Sequence, residues 1–402
     1  MFECSSTALP AGFEPQHNFT CAAVEGSGAN LHWALVVNGE IGFSSLSGRF
    51  EGAVPPEPVV AATVADASAN MQPFRYAAPF VTSIQGMAGA NKNMLAGAGG
   101  QTVRITGSNL GPAAAAVTVM YRLSGVSASL GSIGGLDDHE YSMQSCTKPF
   151  AASSQVHTVI DCNVAPGVGV GHEVLLNVDG VESFEVNDYS GPVGESQIPA
   201  DARLMSYAPP TLVAVRNGED VDTRGGRQVQ LEGSGFGPPA LATVGSITEV
   251  RYGPRNSSLR YVAQDCRVDS DSRMQCVMVA GTGNQLEFRV VMARQPSGVL
   301  QSNASYAAPT ISRFEGPGSD DAETEGGEPV TVYGRNFGPA VAAGVFESRI
   351  LVEYTVSLDN GPSDEVTFRA SGCSLVTPHE AIMCDTAPGA GRALRWSILL
   401  DG

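Results

Sequence analysis

The sequence predicts an all-β chain of tandem β-sandwich domains arranged end to end. Three observations predict it. Apolar and polar residues alternate with period two through short segments, the pattern of strands with one buried and one solvated face. Turn formers are dense, with 47 glycines and 25 prolines against only 16% charged residues, and no long segment sustains a helical period. A cysteine–glycine pattern also recurs along the chain, which marks an internal repeat. Hydrophobic residues, at 43%, are sufficient to fill packed cores, so disorder is not the default.

The cysteines fall into close pairs: Cys4 with Cys21, Cys146 with Cys162, Cys266 with Cys276, and Cys373 with Cys384. After the second member of every pair the spacing is the same: cysteine, four residues, glycine, one residue, glycine. The glycines are Gly26 and Gly28, Gly167 and Gly169, Gly281 and Gly283, and Gly389 and Gly391. An alternating segment follows each of them, at 31–39, 172–180, 286–294 and 394–402, with Trp33, Val174, Phe288 and Trp396 in the same place. That large apolar residue is expected in the core, against the nearby disulfide. Cysteine counting alone leaves many pairings open, and the repetition selects bonding between near neighbours. Zinc is the competing reading. The absence of tight Cys-x-x-Cys spacing and of accompanying histidines argues against it.

A second block recurs three times. It opens on Tyr-Ala-x-Pro at Tyr76, Tyr207 and Tyr306, and a glycine pair follows: Gly99-Gly100, Gly225-Gly226 and Gly326-Gly327. Paired glycines predict a turn with positive φ that reverses the chain into a strand. Along that strand Val103 and Ile105, Val229 and Leu231, and Val330 and Val332 share one face and are expected in a core. The strand ends in Gly-x-Asn-x-Gly-Pro, with Gly235 in place of asparagine in the middle copy. Glycine and asparagine tolerate the backbone this turn requires, and the proline halts strand pairing. Leu110, Phe236 and Phe337 are expected to plug the end of each sandwich. A later strand carries Val-x-Tyr: Val119 and Tyr121, Val250 and Tyr252, Val352 and Tyr354.

Taken in order, Gly-Gly, an alternating strand, Gly-x-Asn-Phe-Gly and a later Cys-x-x-x-Pro-Gly-x-Gly resemble IPT/TIG domains, over most of the chain. These are immunoglobulin-like folds of the plexin and transcription-factor type, found also in fibrocystin-like proteins and in large surface proteins of algae and other protists. The middle copy departs from the pattern at Gly235 and lacks a proline before Gly281. The resemblance implies no catalytic residues.

The repeat pattern divides the chain into 1–74, the C-terminal part of one repeat; 75–205, a complete repeat with insertions near 122–145 and 182–205; 206–304, a second complete repeat; and 305–402, a third that stops at its last strand. The chain is therefore expected to be a segment of a longer protein. Proline at each junction and the lack of a flexible linker predict limited bending between repeats, hence a rod.

Paired cysteines persist in oxidising surroundings, which predicts an extracellular or cell-surface location, a cilium or flagellum included. Sequons at Asn18, Asn256 and Asn303 predict N-linked glycans. The net charge of −18, with Lys92 and Lys148 the only lysines, excludes nucleic acid as the natural partner. No apolar run is long enough to cross a bilayer. The glycine clusters at 167–171 and 233–237 do not open helices, so a phosphate loop is not expected. Asp137, Asp138, His139 and Glu140, the carboxylates Asp320, Asp321, Glu323 and Glu325, and the pair Asp269 and Asp271 read as solvated surface, with calcium as the competing reading. The histidines share no catalytic spacing with serines or cysteines. No enzyme activity, cofactor or metal is expected. The expected role is structural, as a stiff stalk, filament or coat component whose partners are other subunits or further copies of itself. The alternative is a receptor or adhesin ectodomain that binds a protein or glycan through the insertions of the first complete repeat.

Overall fold

A computed structural model describes residues 7–8, 20–21, 25–28, 34–37, 40–44, 50–51, 76–123, 140–183, 200–239, 248–255, 259–340, 350–357 and 365–401. Three antiparallel sandwiches follow one another along the chain. The middle one shows the plan. One sheet orders Thr211–Arg216, Gln228–Ser234, Arg273–Val277 and Gln264–Ser270. The facing sheet orders Tyr261–Val262, Thr248–Gly253, Glu287–Met292 and Gln295–Pro296, with Leu300–Gln301 also paired to Glu287–Met292. In immunoglobulin lettering the sheets read A-B-E-D and C′-C-F-G, so the topology itself is immunoglobulin-like. The first sandwich has the same order, and the third has A-B-E-D against C′-C-F.

The alternating strand after each glycine pair lies inside its sheet. Val103 and Ile105, Val229 and Leu231, and Val330 and Val332 are all fully buried. Their register is the same in each sandwich: Val103 faces Cys162, Val229 faces Cys276, and Val330 faces Cys384. The turn that ends this strand has the backbone its residues imply, with φ of 57° at Asn109, 75° at Gly235 and 62° at Asn336. Asn109 Nδ2 donates to Ala78 O at 3.1 Å, and Asn336 Nδ2 donates to Ala308 O at 3.0 Å, tying the turn to the Tyr-Ala-x-Pro block. Leu110, Phe236 and Phe337 are buried as plugs.

The disulfides Cys146–Cys162, Cys266–Cys276 and Cys373–Cys384 each join two adjacent strands of one sheet. They do not cross between sheets, unlike the disulfide of antibody domains. In every case the register slips at the first cysteine, and the residue before it has positive φ: Ser145 at 51°, Asp265 at 50°, Gly372 at 60°. A β-bulge therefore aims each first cysteine at its partner. Cys4 lies outside the described residues, and Cys21 is described only through the backbone of strand Thr20–Cys21, so the Cys4–Cys21 pairing falls outside them.

Val174, Phe288 and Trp396 sit directly across from the tyrosine of Val-x-Tyr: Tyr121, Tyr252 and Tyr354. Phe288 stacks on Tyr252 at 5.0 Å, and Trp396 packs on Tyr354 at 4.4 Å and on Phe314 at 5.1 Å. The ring expected against the disulfide thus has an aromatic cross-strand partner, because C and F are neighbours while the cysteines lie in the opposite sheet. Trp33 lies outside the described residues. The first two sandwiches share one continuous buried cluster, and the third has its own.

Candidate functional site: the interlocked repeat junctions

Two tyrosines close each of the first two sandwiches. Tyr121 and Tyr207 bring their hydroxyls within 2.5 Å, and Tyr207 Oη donates to Ala165 O at 2.6 Å. Tyr252 and Tyr306 repeat the arrangement at 3.0 Å, with Tyr306 Oη donating to Val279 O at 2.6 Å. In the third sandwich Tyr354 Oη accepts from Ala387 N at 2.8 Å. Ala165, Val279 and Ala387 all stand three residues after the second cysteine, so one position of the repeat serves as anchor in all three. Burial disfavours the phenolate, and it pushes Tyr252 up to about 12 and Tyr306 further still. These hydroxyls are structural donors and acceptors, not acids at neutral pH.

Tyr207 and Tyr306 head the Tyr-Ala-x-Pro block in sequence, yet their rings are buried in the sandwich before it. The first glycine of Cys-x-x-x-x-Gly-x-Gly explains itself here. A Cβ on Gly167 would lie 2.6 Å from Tyr207 Oη, and one on Gly281 would lie 2.7 Å from Tyr306 Oη. The same holds for Gly26 and Tyr76, at 2.4 Å. Glycine is required because the tyrosine ring occupies the space of a side chain. The clusters at 167–171 and 233–237 are thus tyrosine seat and strand-ending turn.

Successive repeats meet through two positions that recur in the same places. The first is the turn after strand F: Asp179, Ala293 and Asp401, with φ of 49°, 44° and 55°. Each reaches the glycine loop of the preceding repeat. Ser27 Oγ donates to Asp179 Oδ2. Ala293 lies against Gly169, whose N–H donates to Gln295 Oε1 at 3.2 Å. Thr282 Oγ1 donates to Asp401 Oδ2, which also pairs with Arg260. That ion pair is nearly enclosed, with 10% and 6% of the two side chains exposed, and the Arg260 guanidinium lies 4.9 Å from the Tyr261 ring centre.

The second position stands five residues before the second cysteine: His157, Asp271 and His379. Its backbone carbonyl accepts from the plug residue of its own sandwich: Leu110 N at 2.8 Å, Phe236 N at 3.0 Å and Phe337 N at 3.2 Å. Its side chain faces the preceding repeat. His157 Nε2 pairs with Glu25 at 2.8 Å. Asp271 approaches Gly97 so closely that a Cβ there would lie 2.1 Å from its carboxylate oxygen. His379 Nδ1 hydrogen-bonds Thr223 Oγ1 at 2.8 Å, and beside it Arg224 pairs with Glu380 at 2.8 Å. Burial and the charge of Arg224 hold the His379 imidazole below the ordinary histidine range, against the opposing pull of Asp222 and Glu380.

The junctions therefore use the same positions of the repeat and differ in chemistry. Between the first and second sandwiches the buried cores run together, with uncharged Gln295 bridging Gly169 and the Tyr207 carbonyl. Between the second and third it is polar and ionic. Sequence reasoning passed over these positions because the middle repeat departs at both, with Ala293 between Asp179 and Asp401 and Asp271 between His157 and His379. The signal present was the constant offset from the cysteine and from the large apolar residue of strand F, Val174, Phe288 or Trp396.

The remaining candidates fall as follows. Asn303 is exposed, whereas Asn18 and Asn256 lie outside the described residues. Asp137, Asp138 and His139 also lie outside them. Asp269 accepts from Gln275 at 2.7 Å within its hairpin, and Asp271 accepts from Gly237 N of the strand-ending turn at 3.1 Å. Among the described residues no group of three His, Cys, Asp or Glu side chains is arranged to hold a metal.

No family model matches the chain, and no curated protein matches it. Among solved structures it is similar to SGBP-B from a complex xyloglucan utilization locus in Bacteroides uniformis, with 12% identity over 80% of this chain and 98% of that chain and a TM-score of 0.19. It is similar to InvD of Yersinia pseudotuberculosis, with 11% identity over 80% and 83% and a TM-score of 0.20. A marsupial T cell receptor matches at 9% identity over 78% and 95%, with a TM-score of 0.22. Likeness at these scores carries no functional argument, and the fold assignment stands on the sheet order.

Proposed function

We propose that this chain is a structural, non-catalytic segment of a large extracellular protein, built of IPT/TIG-type repeats at 75–205, 206–304 and 305–402, with 1–74 ending a further repeat. It forms a stiff rod, filament or coat component at a cell surface, a cilium or flagellum included. Its partners are other subunits or further copies of itself. The observation that carries this reading is the recurrence of one junction: Asp179 against Ser27 and Asp401 against Thr282 are the same contact in different repeats. A contact repeated with constant geometry sets a constant angle between neighbours, and a constant angle propagates into a rod. Disulfides in all three sandwiches fit an oxidising compartment. Negative-stain images of the chain are expected to show beaded rods of one curvature. Compact globules, or beads at random angles, would contradict the proposal.

A further inference from the structure

The first and second sandwiches treat the same edge strand differently. In the first, strand Phe80–Gly86 is covered. The turn Ala200–Arg203 lies over it, with Arg203 5.3 Å from the Phe80 ring centre, and Phe80 and Val81 are buried. Lys92 Nζ pins the end of that turn by donating to Leu204 O at 2.9 Å. In the second, strand Thr211–Arg216 is also the edge of its sheet, but among the described residues no turn covers it, and Val213 is 70% exposed. A cleft of about 520 Å³ opens here, lined by Val213, Val215, Arg216, Arg227, Gln301 and Asn303. Its volume is in the range of clefts that hold small ligands.

The local sequence differs at the same spot. Leu204, paired on strand F, is followed by Met205-Ser206 and then Tyr207. Gln301, paired at the equivalent place, is followed by Ser302-Asn303-Ala304-Ser305 and then Tyr306. The extra residues bring in Asn303-Ala304-Ser305, a glycosylation sequon, and they place Asn303 on the lip of the cleft. An uncovered edge strand invites pairing with another chain. Its lining mixes the apolar Val213, Val215 and Leu300 with the charged Arg216, Glu219 and Arg227. That suits a sugar ring, which has an apolar C–H face and a rim of hydroxyls.

We infer that the first sugars of an N-linked glycan on Asn303 lie in this cleft and cover the Thr211–Arg216 edge, as the turn Ala200–Arg203 covers Phe80–Gly86. The inference rests on the extracellular reading above. Its occupant is tethered to a residue of the cleft, so no free ligand is required.

The test uses the chain secreted from glycosylating eukaryotic cells. Peptide mass analysis reads the occupancy of Asn303. Hydrogen exchange is then compared before and after enzymatic removal of the glycan, and in N303Q. Occupancy is expected, together with a several-fold rise in exchange across 211–216 on deglycosylation and no change across 80–86. An unmodified Asn303 would overturn the inference, and only Asn18, Asn256 and Asn303 all unmodified would overturn the glycoprotein reading as well. An occupied Asn303 with unchanged exchange across 211–216 would overturn the seating alone.

Discussion

Tyr306 donates its hydroxyl proton to the Val279 carbonyl at 2.6 Å, across a seat that Gly281 leaves open. This contact joins the block that opens one repeat to the loop that follows the cysteine of the repeat before. The chain cannot pass from one sandwich to the next without first inserting a tyrosine into the sandwich it is leaving. From this and the junctions built on it the following outcomes are expected.

Substituting Tyr306→Phe keeps the ring and removes the hydroxyl that serves both Val279 O and Tyr252. The loss is expected to be about 1–3 kcal/mol, the cost of a buried acceptor left unpaired. Gly281→Ala is expected to destabilise more, since the new methyl overlaps the tyrosine rings. Denaturant unfolding of the two variants ranks them.

Spectrophotometric titration tests the same cluster from another side. Tyr121, Tyr207, Tyr252 and Tyr306 are raised by burial above the ordinary phenol range. Their ionisation is expected to appear only with alkaline unfolding.

Removing one bridge, as Cys266→Ser with Cys276→Ser, is expected to cost about 2–4 kcal/mol by freeing the unfolded chain. Non-reducing peptide mapping is expected to show Cys146–Cys162, Cys266–Cys276 and Cys373–Cys384 and no bond between repeats.

Acid is expected to loosen the junction of the second and third sandwiches. His379 has a docked pKa below its ordinary value of 6.5, so its undocked form takes up a proton first as pH falls. The contribution of this residue is present above that value and is lost below it, where imidazolium faces Arg224. Arg224, Asp222 and Glu380 are the charged groups acting on the ring. Scattering profiles between pH 7.5 and 5 are expected to report greater bending, and H379Q is expected to flatten the dependence.

The sandwich class, the strand-ending turns and the pairing of Cys146–Cys162, Cys266–Cys276 and Cys373–Cys384 were legible because each needs particular residue types at fixed spacing. Asn109 and Gly235 hold positive φ where few other residues are tolerated, and the plugs Leu110, Phe236 and Phe337 mark the same place. The junction positions were not legible. The middle copy breaks each series: Ala293 stands where the others have Asp179 and Asp401, and Asp271 where they have His157 and His379. Each needs only to fit the face of the repeat before it, and that face changes with it. The aromatic partner of Trp396 was not legible for a related reason: period-two patterning shows which face is buried, but not that Tyr354 lies on the neighbouring strand.

Interlocking at the junctions is the claim on which the rod depends, and dipolar electron resonance measures it most directly. Spin labels carried by unnatural amino acids at Met94 in the first sandwich and Val376 in the third, both exposed, leave the disulfides intact. A single narrow distance distribution is expected, broadening when Asp401→Ala leaves Arg260 enclosed without its carboxylate. A broad distribution in the unaltered chain would contradict the account.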